Sequence, residues 1–357
     1  MKTYLLPLFA ALLLFHPDAP ARTAAAEAPR GTVVTETLAS VVLRENRTGL
    51  DPNRVIKVYL PPGYATSGRS YPVVYFCHNL NWSAEQVFEN GNMAKQLERA
   101  FARGVVGEFI LVAASYTTPT MGSFYENSST TGRWLDYTAD EVVPFIDGKF
   151  RTLRHRDSRA LVGDFMGGRG VLQLAMTHAG LFSVAYAMHP VATGAGYLPI
   201  NYLDVDWRKI HQAKAYDELS PGGRTRIFLM ICQAFLPNPS RPPFYCDLPM
   251  EIGNDVSRIH PDNNRALQKG FHLDETLDEH AANLRTLRGL AFDWGRYDST
   301  TAHVLANQAF TRKLADLGIP HEAEEFSGSP WDQYWGEDGR FPTRVLPFLA
   351  RHLVYQK

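Results

Sequence analysis

The sequence predicts an α/β fold, a doubly wound and mostly parallel sheet with a cap-like insertion, and three observations carry that expectation. Short, continuously apolar runs recur at 71–77, 108–115, 159–163, 182–188 and 287–292, the pattern of strands covered by helices on both faces. Stretches with helical spacing separate them, as a parallel sheet requires. The alternation lapses once, from about 193 to 283, into sequence rich in Pro, Asn and Asp, which reads as an insertion. With 357 residues, 45% hydrophobic and 20% charged, the chain has enough apolar material for one large folded domain.

Taken in order, the chain begins with Lys2 and an apolar run from Tyr4 to Phe15, too short to span a bilayer and broken by Pro17 and Pro20. A secretory signal over residues 1–26 is expected, cleaved after Ala24-Ala25-Ala26 rather than after Ala19-Pro20-Ala21. The mature chain, 27–357, would then be secreted or periplasmic. Residues 32–43 and 54–60 read as a starting hairpin that ends in Pro61-Pro62-Gly63. A central strand at 71–77 is followed by helical spacing over 84–103, a strand at 108–115 and an amphipathic stretch over 134–150. The strand 159–163 runs into a glycine-rich turn, with a helix at 170–178 and a strand at 182–188. Within the insertion, the apolar piece 227–235 fits helix or strand equally. Beyond it come a strand at 287–292, a helix at 302–317, a strand at 322–326 and a closing helix from Thr343.

Composition excludes several functions. Lys and Arg number 36 against 37 Asp and Glu, so there is no basic field for a phosphate backbone and nucleic acid is not an expected partner. No other stretch is long enough to cross a membrane. Three cysteines, with no Cys-x-x-Cys pair, suggest neither a disulfide scaffold nor a zinc centre, although Cys232 and Cys246 could bridge in an oxidising compartment. No His, Asp and Glu set stands at metal-ligand spacing, so neither metal nor cofactor is expected.

The segment Leu161-Val-Gly-Asp-Phe-Met-Gly-Gly168 resembles the nucleophile elbow of the α/β-hydrolases, and in particular the esterase D-like family of secreted esterases and feruloyl esterases. That family's turn reads Gly-x-Ser-Met-Gly-Gly, and Gly163, Met166, Gly167 and Gly168 match it. Further segments resemble it in order and spacing: 71–78, 122–128 with Gly132-x-Trp134, 143–147, 150–152, 244–249 and 293–298. The resemblance spans nearly all of the mature chain and implies an α/β-hydrolase fold.

At the elbow's serine position stands Phe165, which cannot be a nucleophile. An elbow nucleophile has small residues two before and two after it. Gly163 and Gly167 fit Phe165 in that role, whereas Val162 and Met166 do not fit Asp164. Where the family places its general-base histidine after the last strand, this chain reads Phe326-Ser-Gly-Ser-Pro330. The resemblance implies that Asp298 matches the acid and that backbone N–H groups of Leu80 and Met166 match the oxyanion hole, with His78-Asn79-Leu80 where His-Gly is usual.

Two readings follow. In one, a secreted pseudo-hydrolase binds a glycan or glycan ester in the esterase cleft. Phe165 then fills the emptied site or offers a stacking platform, and Asn79, Leu80, Met166, Arg169, Tyr116, Trp134, His189 and Trp331 contribute to binding. Arg169 would anchor an acidic sugar. In the other, Asp164 and Asp298, with His78 or His189, act as acid and base in a non-serine mechanism on a carbohydrate-like substrate. For His303 and His321, solvent exposure is expected.

Overall fold

The computed structural model describes residues 30–80, 82–90, 92–194, 205–221, 223–253, 257–331 and 333–356. The expected signal segment, 1–26, lies outside the described residues, as does 195–204 of the insertion. Eight strands form one sheet: β1 Thr32–Ala39, β2 Asn53–Leu60, β3 Val73–Cys77, β4 Ile110–Ala114, β5 Arg159–Asp164, β6 Val184–Met188, β7 Gly289–Gly295 and β8 Glu322–Phe326. Their spatial order is β1-β2-β4-β3-β5-β6-β7-β8. Only the β1–β2 and β2–β4 pairs are antiparallel. The six strands from β3 onward run parallel.

The apolar runs become strands because both faces of the sheet are covered, and β3 to β7 are buried at every residue. Alternate residues feed separate cores. Val73, Tyr75, Cys77, Val112 and Leu161 pack on one face with α4, Met166–Thr177. Val74, Phe76, Leu111 and Val162 pack on the other with α2, Met93–Ala102, and α10, Leu346–His352. The exposed edge β8 carries Glu322, Glu324 and Glu325, each paired to an arginine, which disfavours strand addition.

The structure moves several expected boundaries. The helical spacing over 84–103 divides into α1, Ala84–Glu89, and α2, because Asn92 adopts a left-handed conformation (φ 48°) and restarts the chain. The amphipathic stretch over 134–150 is helical, with a π-turn over Tyr137–Val142 leading into α3, Val143–Lys149. The helix after the glycine turn begins four residues earlier than expected, at Met166.

Between β6 and β7 the insertion is helical rather than irregular. It holds α5 Trp207–Gln212, α6 Arg224–Phe235, α7 Pro261–Phe271 and α8 Leu277–Arg285, with a small hairpin of Met250–Ile252 and Ser257–Ile259. The ambiguous 227–235 piece is therefore helix, buried along most of its length. Beyond β7 lies α9, Thr301–Asp316. Cys232 and Cys246 are both buried free thiols.

Candidate functional site

β5 ends at Asp164, α4 starts at Met166, and one residue, Phe165, makes the turn between them with φ 51° and ψ −112°. A side chain there is strained, at a cost on the order of 1–3 kcal/mol that surrounding contacts must offset. The Phe165 N–H donates to Met188 O (3.0 Å), and the Arg169 N–H donates to Phe165 O (2.9 Å). Gly167 permits the close approach of β3: a Cβ there would stand 1.8 Å from the Cys77 carbonyl oxygen.

Only 8% of Phe165 is exposed. Its ring stacks on Trp331 (centroids 4.1 Å apart, 10° between planes) and on His189 (4.8 Å, 20°), and meets His303 edge-on at 6.2 Å. Trp331, in the loop after β8, remains 56% exposed.

Asp298, in the loop after β7, accepts three hydrogen bonds. His189 Nε2 and His303 Nδ1 donate to Oδ2 at 2.8 and 2.7 Å, and the Thr300 N–H donates to Oδ1 at 2.8 Å. Burial would raise its pKa, but the hydrogen bonds from His189 and His303 win and hold the carboxyl below its ordinary range. The Gly295 N–H donates to His189 Nδ1 (3.0 Å), which fixes this ring as the Nε2–H tautomer. Burial lowers the pKa of His189 and favours its neutral form.

His189, Asp298 and His303 place three possible ligand atoms within 4.8 Å of one another, a grouping that sequence spacing does not reveal because the first two are 109 residues apart. The donor set does not suit a cation. A metal on His189 Nε2 would require the proton on Nδ1, where it would face the Gly295 N–H, a donor against a donor.

Beside the stack is a cavity of about 260 Å³. Leu80, Phe124, Phe165, Met166, Val191, Ile227, Ile231, Phe271 and Trp331 make it mainly apolar, while Asn79, Asp298, Ser299, Thr300 and His303 supply polar groups. Among the sequence candidates, Asn79, Leu80, Phe165, Met166, Asp298 and Trp331 thus meet around one space.

The others lie elsewhere. Asp164 neither lines the cavity nor caps α4. It is buried, Asn79 Nδ2 donates to its Oδ2 (2.7 Å), and burial pushes its pKa up to about 7 despite that bond. It is therefore not paired with Asp298 in this space. His78 is buried with both ring nitrogens engaged: Nδ1 donates to Asn79 O (2.8 Å), Nε2 accepts from the Tyr116 N–H (2.9 Å), and burial depresses its pKa to about 4. His189 packs against Phe165 without lining the cavity.

Tyr116 and Trp134 are core residues. The Tyr116 hydroxyl bonds Thr138 Oγ1 (2.9 Å), and Trp134 Nε1 donates to Thr131 Oγ1 (3.3 Å). Arg169 cannot anchor a ligand, because its buried guanidinium already donates to the carbonyls of Phe271 (3.2 Å), Phe124 (3.1 Å) and Gly270 (2.8 Å) and lies 3.5 Å from Glu126. It ties α4 to the insertion.

His303, expected to be exposed, is instead largely buried on the cavity wall. Its position in the first turn of α9, five residues after Asp298, was the available signal. His321 is also partly buried, bonded to Thr311 Oγ1 (2.7 Å) and Ile319 O (2.8 Å). The cap residues Ile227 and Ile231 could not be assigned to the cavity before α6 was known to be a helix.

The family model described as "Putative esterase" matches residues 48–241. Esterase Rv1288 of Mycobacterium tuberculosis (strain ATCC 25618 / H37Rv) is 27% identical over 283 residues, covering 77% of this chain but 52% of the relative, so the chain spans about half the length of that protein. Among solved structures, a ferulic acid esterase aligns with a TM-score of 0.62 at 19% identity, covering 91% of this chain and 99% of its own. An S-formylglutathione hydrolase (FrmB) from Staphylococcus aureus aligns at 0.55 and 13% identity, covering 90% and 99%. The strand order, the turn at Phe165 and the family match agree: the chain belongs to the esterase family of α/β-hydrolase-fold proteins.

Proposed function

We propose that this esterase-family protein binds a carbohydrate ester in its cleft and forms no acyl-enzyme there, with the apolar or aromatic acyl group in the cavity and the sugar at the rim. The carrying observation is Phe165 at the strand-to-helix turn, stacked on Trp331 and His189. The ring occupies the position from which a serine hydroxyl would attack, and an indole stands in the loop where the family's imidazole base is expected. The walls suit an apolar group better than a sugar ring, and the exposed indole of Trp331 offers a stacking surface at the entrance. On this reading the lost Ser and His make the protein a pseudo-hydrolase, exported by its N-terminal signal to the periplasm or exterior.

One observation favours a second reading, an enzyme with a non-serine mechanism. His303 lines the cavity and donates from Nδ1 to the ionised Asp298, which makes Nε2 the basic nitrogen of a carboxylate-supported imidazole. On this second reading His303, rather than His78 or His189, works with Asp298, and Asp164 takes no part.

Calorimetry with methyl ferulate and with acetylated and feruloylated xylo-oligosaccharides, beside mass spectrometry of the same mixtures, separates the readings. Binding without product, and no labelling by a fluorophosphonate probe, is the expected result. Product that disappears in His303→Gln would replace binding by catalysis. Covalent labelling would overturn both readings.

A further inference from the structure

A second groove, of about 600 Å³, lies between the turn after β1 and the 127–133 hairpin. Its charged groups are Arg44, Arg47, Arg133 and Glu45, and all four side chains are exposed. Arg133 pairs with Asp136. Among the described residues, the guanidinium groups of Arg44 and Arg47 have neither an ion-pair nor a hydrogen-bond partner.

The walls are rigid. Asn46 Nδ2 donates to Leu43 O and Leu50 O (2.8 and 2.9 Å), while its Oδ1 accepts from the N–H groups of Thr48 and Leu50 (3.1 and 2.9 Å). Asn127 Oδ1 accepts from the Leu135 N–H (2.9 Å), and its Nδ2 donates to Asp136 (2.9 Å). The Arg47 N–H donates to Thr130 O (2.8 Å) and joins the two walls. Two exposed, unpaired guanidinium groups therefore border a hydrogen-bonded polar wall beside the exposed Ser129.

We propose that this groove is a second binding site, for a uronate-bearing oligosaccharide. A guanidinium donates two parallel hydrogen bonds to a carboxylate, and the exposed Ser129 hydroxyl, with the Asn127 Nδ2 proton that Asp136 does not take, meets sugar hydroxyls. Glu45 decides between anions. It disfavours densely charged phosphate or sulfate, whereas it tolerates single carboxylates spaced along a polyhydroxylated chain, whose hydroxyls it can accept. The groove presents no aromatic face, which sets it apart from a nucleobase site. Its 127–133 hairpin is tied to α6, the helix whose Ile227 and Ile231 line the other cavity, because Ser128 Oγ donates to Gln233 O. The two sites are nevertheless lined by different residues, and this proposal stands whether or not the cleft binds an ester.

The test is calorimetric titration of the mature protein with glucuronic-acid-substituted xylo-oligosaccharide, unsubstituted xylo-oligosaccharide and a sulfated oligosaccharide of equal length. The proteins are wild type, Arg44→Gln/Arg47→Gln and Ile231→Trp, each checked by circular dichroism. The expected result is tighter binding of the uronate chain than of the neutral one, weakened at least tenfold in the double variant, reduced by salt and unchanged in Ile231→Trp. Equal binding of neutral and uronate chains, or no loss in the double variant, overturns the site. Tighter binding of the sulfated chain overturns the carboxylate assignment. Loss in Ile231→Trp alone would place the glycan in the cleft and overturn the second site.

Discussion

Replacing Phe165 with alanine and with glycine separates what its ring does from what its backbone suffers. The ring is nearly buried and stacks on Trp331 and His189, so truncation forfeits its burial, about 2 kcal/mol, and stacking contacts worth about 1 kcal/mol more. Because one side already borders the cavity, neighbours can settle into the vacated space, and Phe165→Ala falls near the low end of the usual range, about 3 kcal/mol. Glycine at an ordinary buried position is worse than alanine by roughly 0.5–1 kcal/mol. Here φ is 51° and ψ −112°, which glycine adopts freely and alanine does not, so about 1–2 kcal/mol of strain is released. The usual order should vanish or invert, with Phe165→Gly at least as stable as Phe165→Ala. Urea unfolding followed by circular dichroism, with matched m-values, measures both. A glycine variant less stable than alanine by 0.5 kcal/mol or more would refute the strained turn, and a loss below about 1 kcal/mol in Phe165→Ala would refute the stack.

Other substitutions test neighbouring claims. Asp164 has a folded pKa of about 7 against an ordinary 3.8, so between those values the folded chain holds a proton that the unfolded chain releases. Stability attributable to this group therefore falls as pH rises through that window, by at most about 4 kcal/mol, and Asp164→Asn should gain on the wild type between pH 5 and pH 8; parallel stability curves would contradict this. Arg169→Leu leaves the carbonyls of Phe124, Gly270 and Phe271 without their donor and Glu126 without its cation, so a loss of about 3–5 kcal/mol is expected in denaturant unfolding, and wild-type stability would deny the anchor. Ile231→Trp fills the cleft cavity, and methyl ferulate binding should weaken at least tenfold with little change in unfolding midpoint; unaltered affinity would place the acyl group elsewhere.

The sheet was legible because its central strands are covered on both faces and so appear as uninterrupted apolar runs between glycine and proline punctuation. The elbow was legible because Gly163 and Gly167 are required where β3 approaches: a sequence without them could not make the turn at all. The insertion was less so, since its helices owe their burial to partners distant in sequence. Leu267 and Phe271 of α7 pack within an otherwise polar helix, a pattern too sparse to announce itself. The site candidates divided along the same line. Residues beside the elbow reach the cavity through local geometry, whereas Arg169, also local, turns away because carbonyls contributed by Phe124, Gly270 and Phe271 capture it. Tyr116 and Trp134 were expected in loops as binding residues, yet their rings pack with Tyr125 and Tyr137 beneath the surface. No spacing rule could have joined His189 to Asp298 and His303, because that triangle is closed by adjacent strand ends rather than by one helix.

Asp298, in a segment that resembles the family's acid, invites a catalytic explanation, but its hydrogen bonds give a structural reason for its presence. All three partners of Asp298 are donors: the Thr300 amide at Oδ1, His189 Nε2 and His303 Nδ1 at Oδ2. His303 can change tautomer and accept. His189 cannot, since Gly295 holds its Nδ1 as an acceptor, and a backbone amide never can. In Asp298→Asn, either orientation of the amide therefore sets its NH₂ against a fixed donor, Thr300 in one and His189 in the other. The loss should be about 2–3 kcal/mol at pH 7, from a buried donor left unsatisfied together with the lost charge. It should shrink toward acid pH, because a carboxyl held below its ordinary pKa stabilises the fold above the unfolded value near 3.8, and that contribution fades as pH falls toward the lowered folded value. Unfolding measured at pH 7 and at pH 2.5, below the unfolded value, tests both statements. An asparagine variant within 0.5 kcal/mol of wild type at pH 7 would mean that the aspartate is not needed to hold the two histidines, and would return it to the role of a group kept for chemistry.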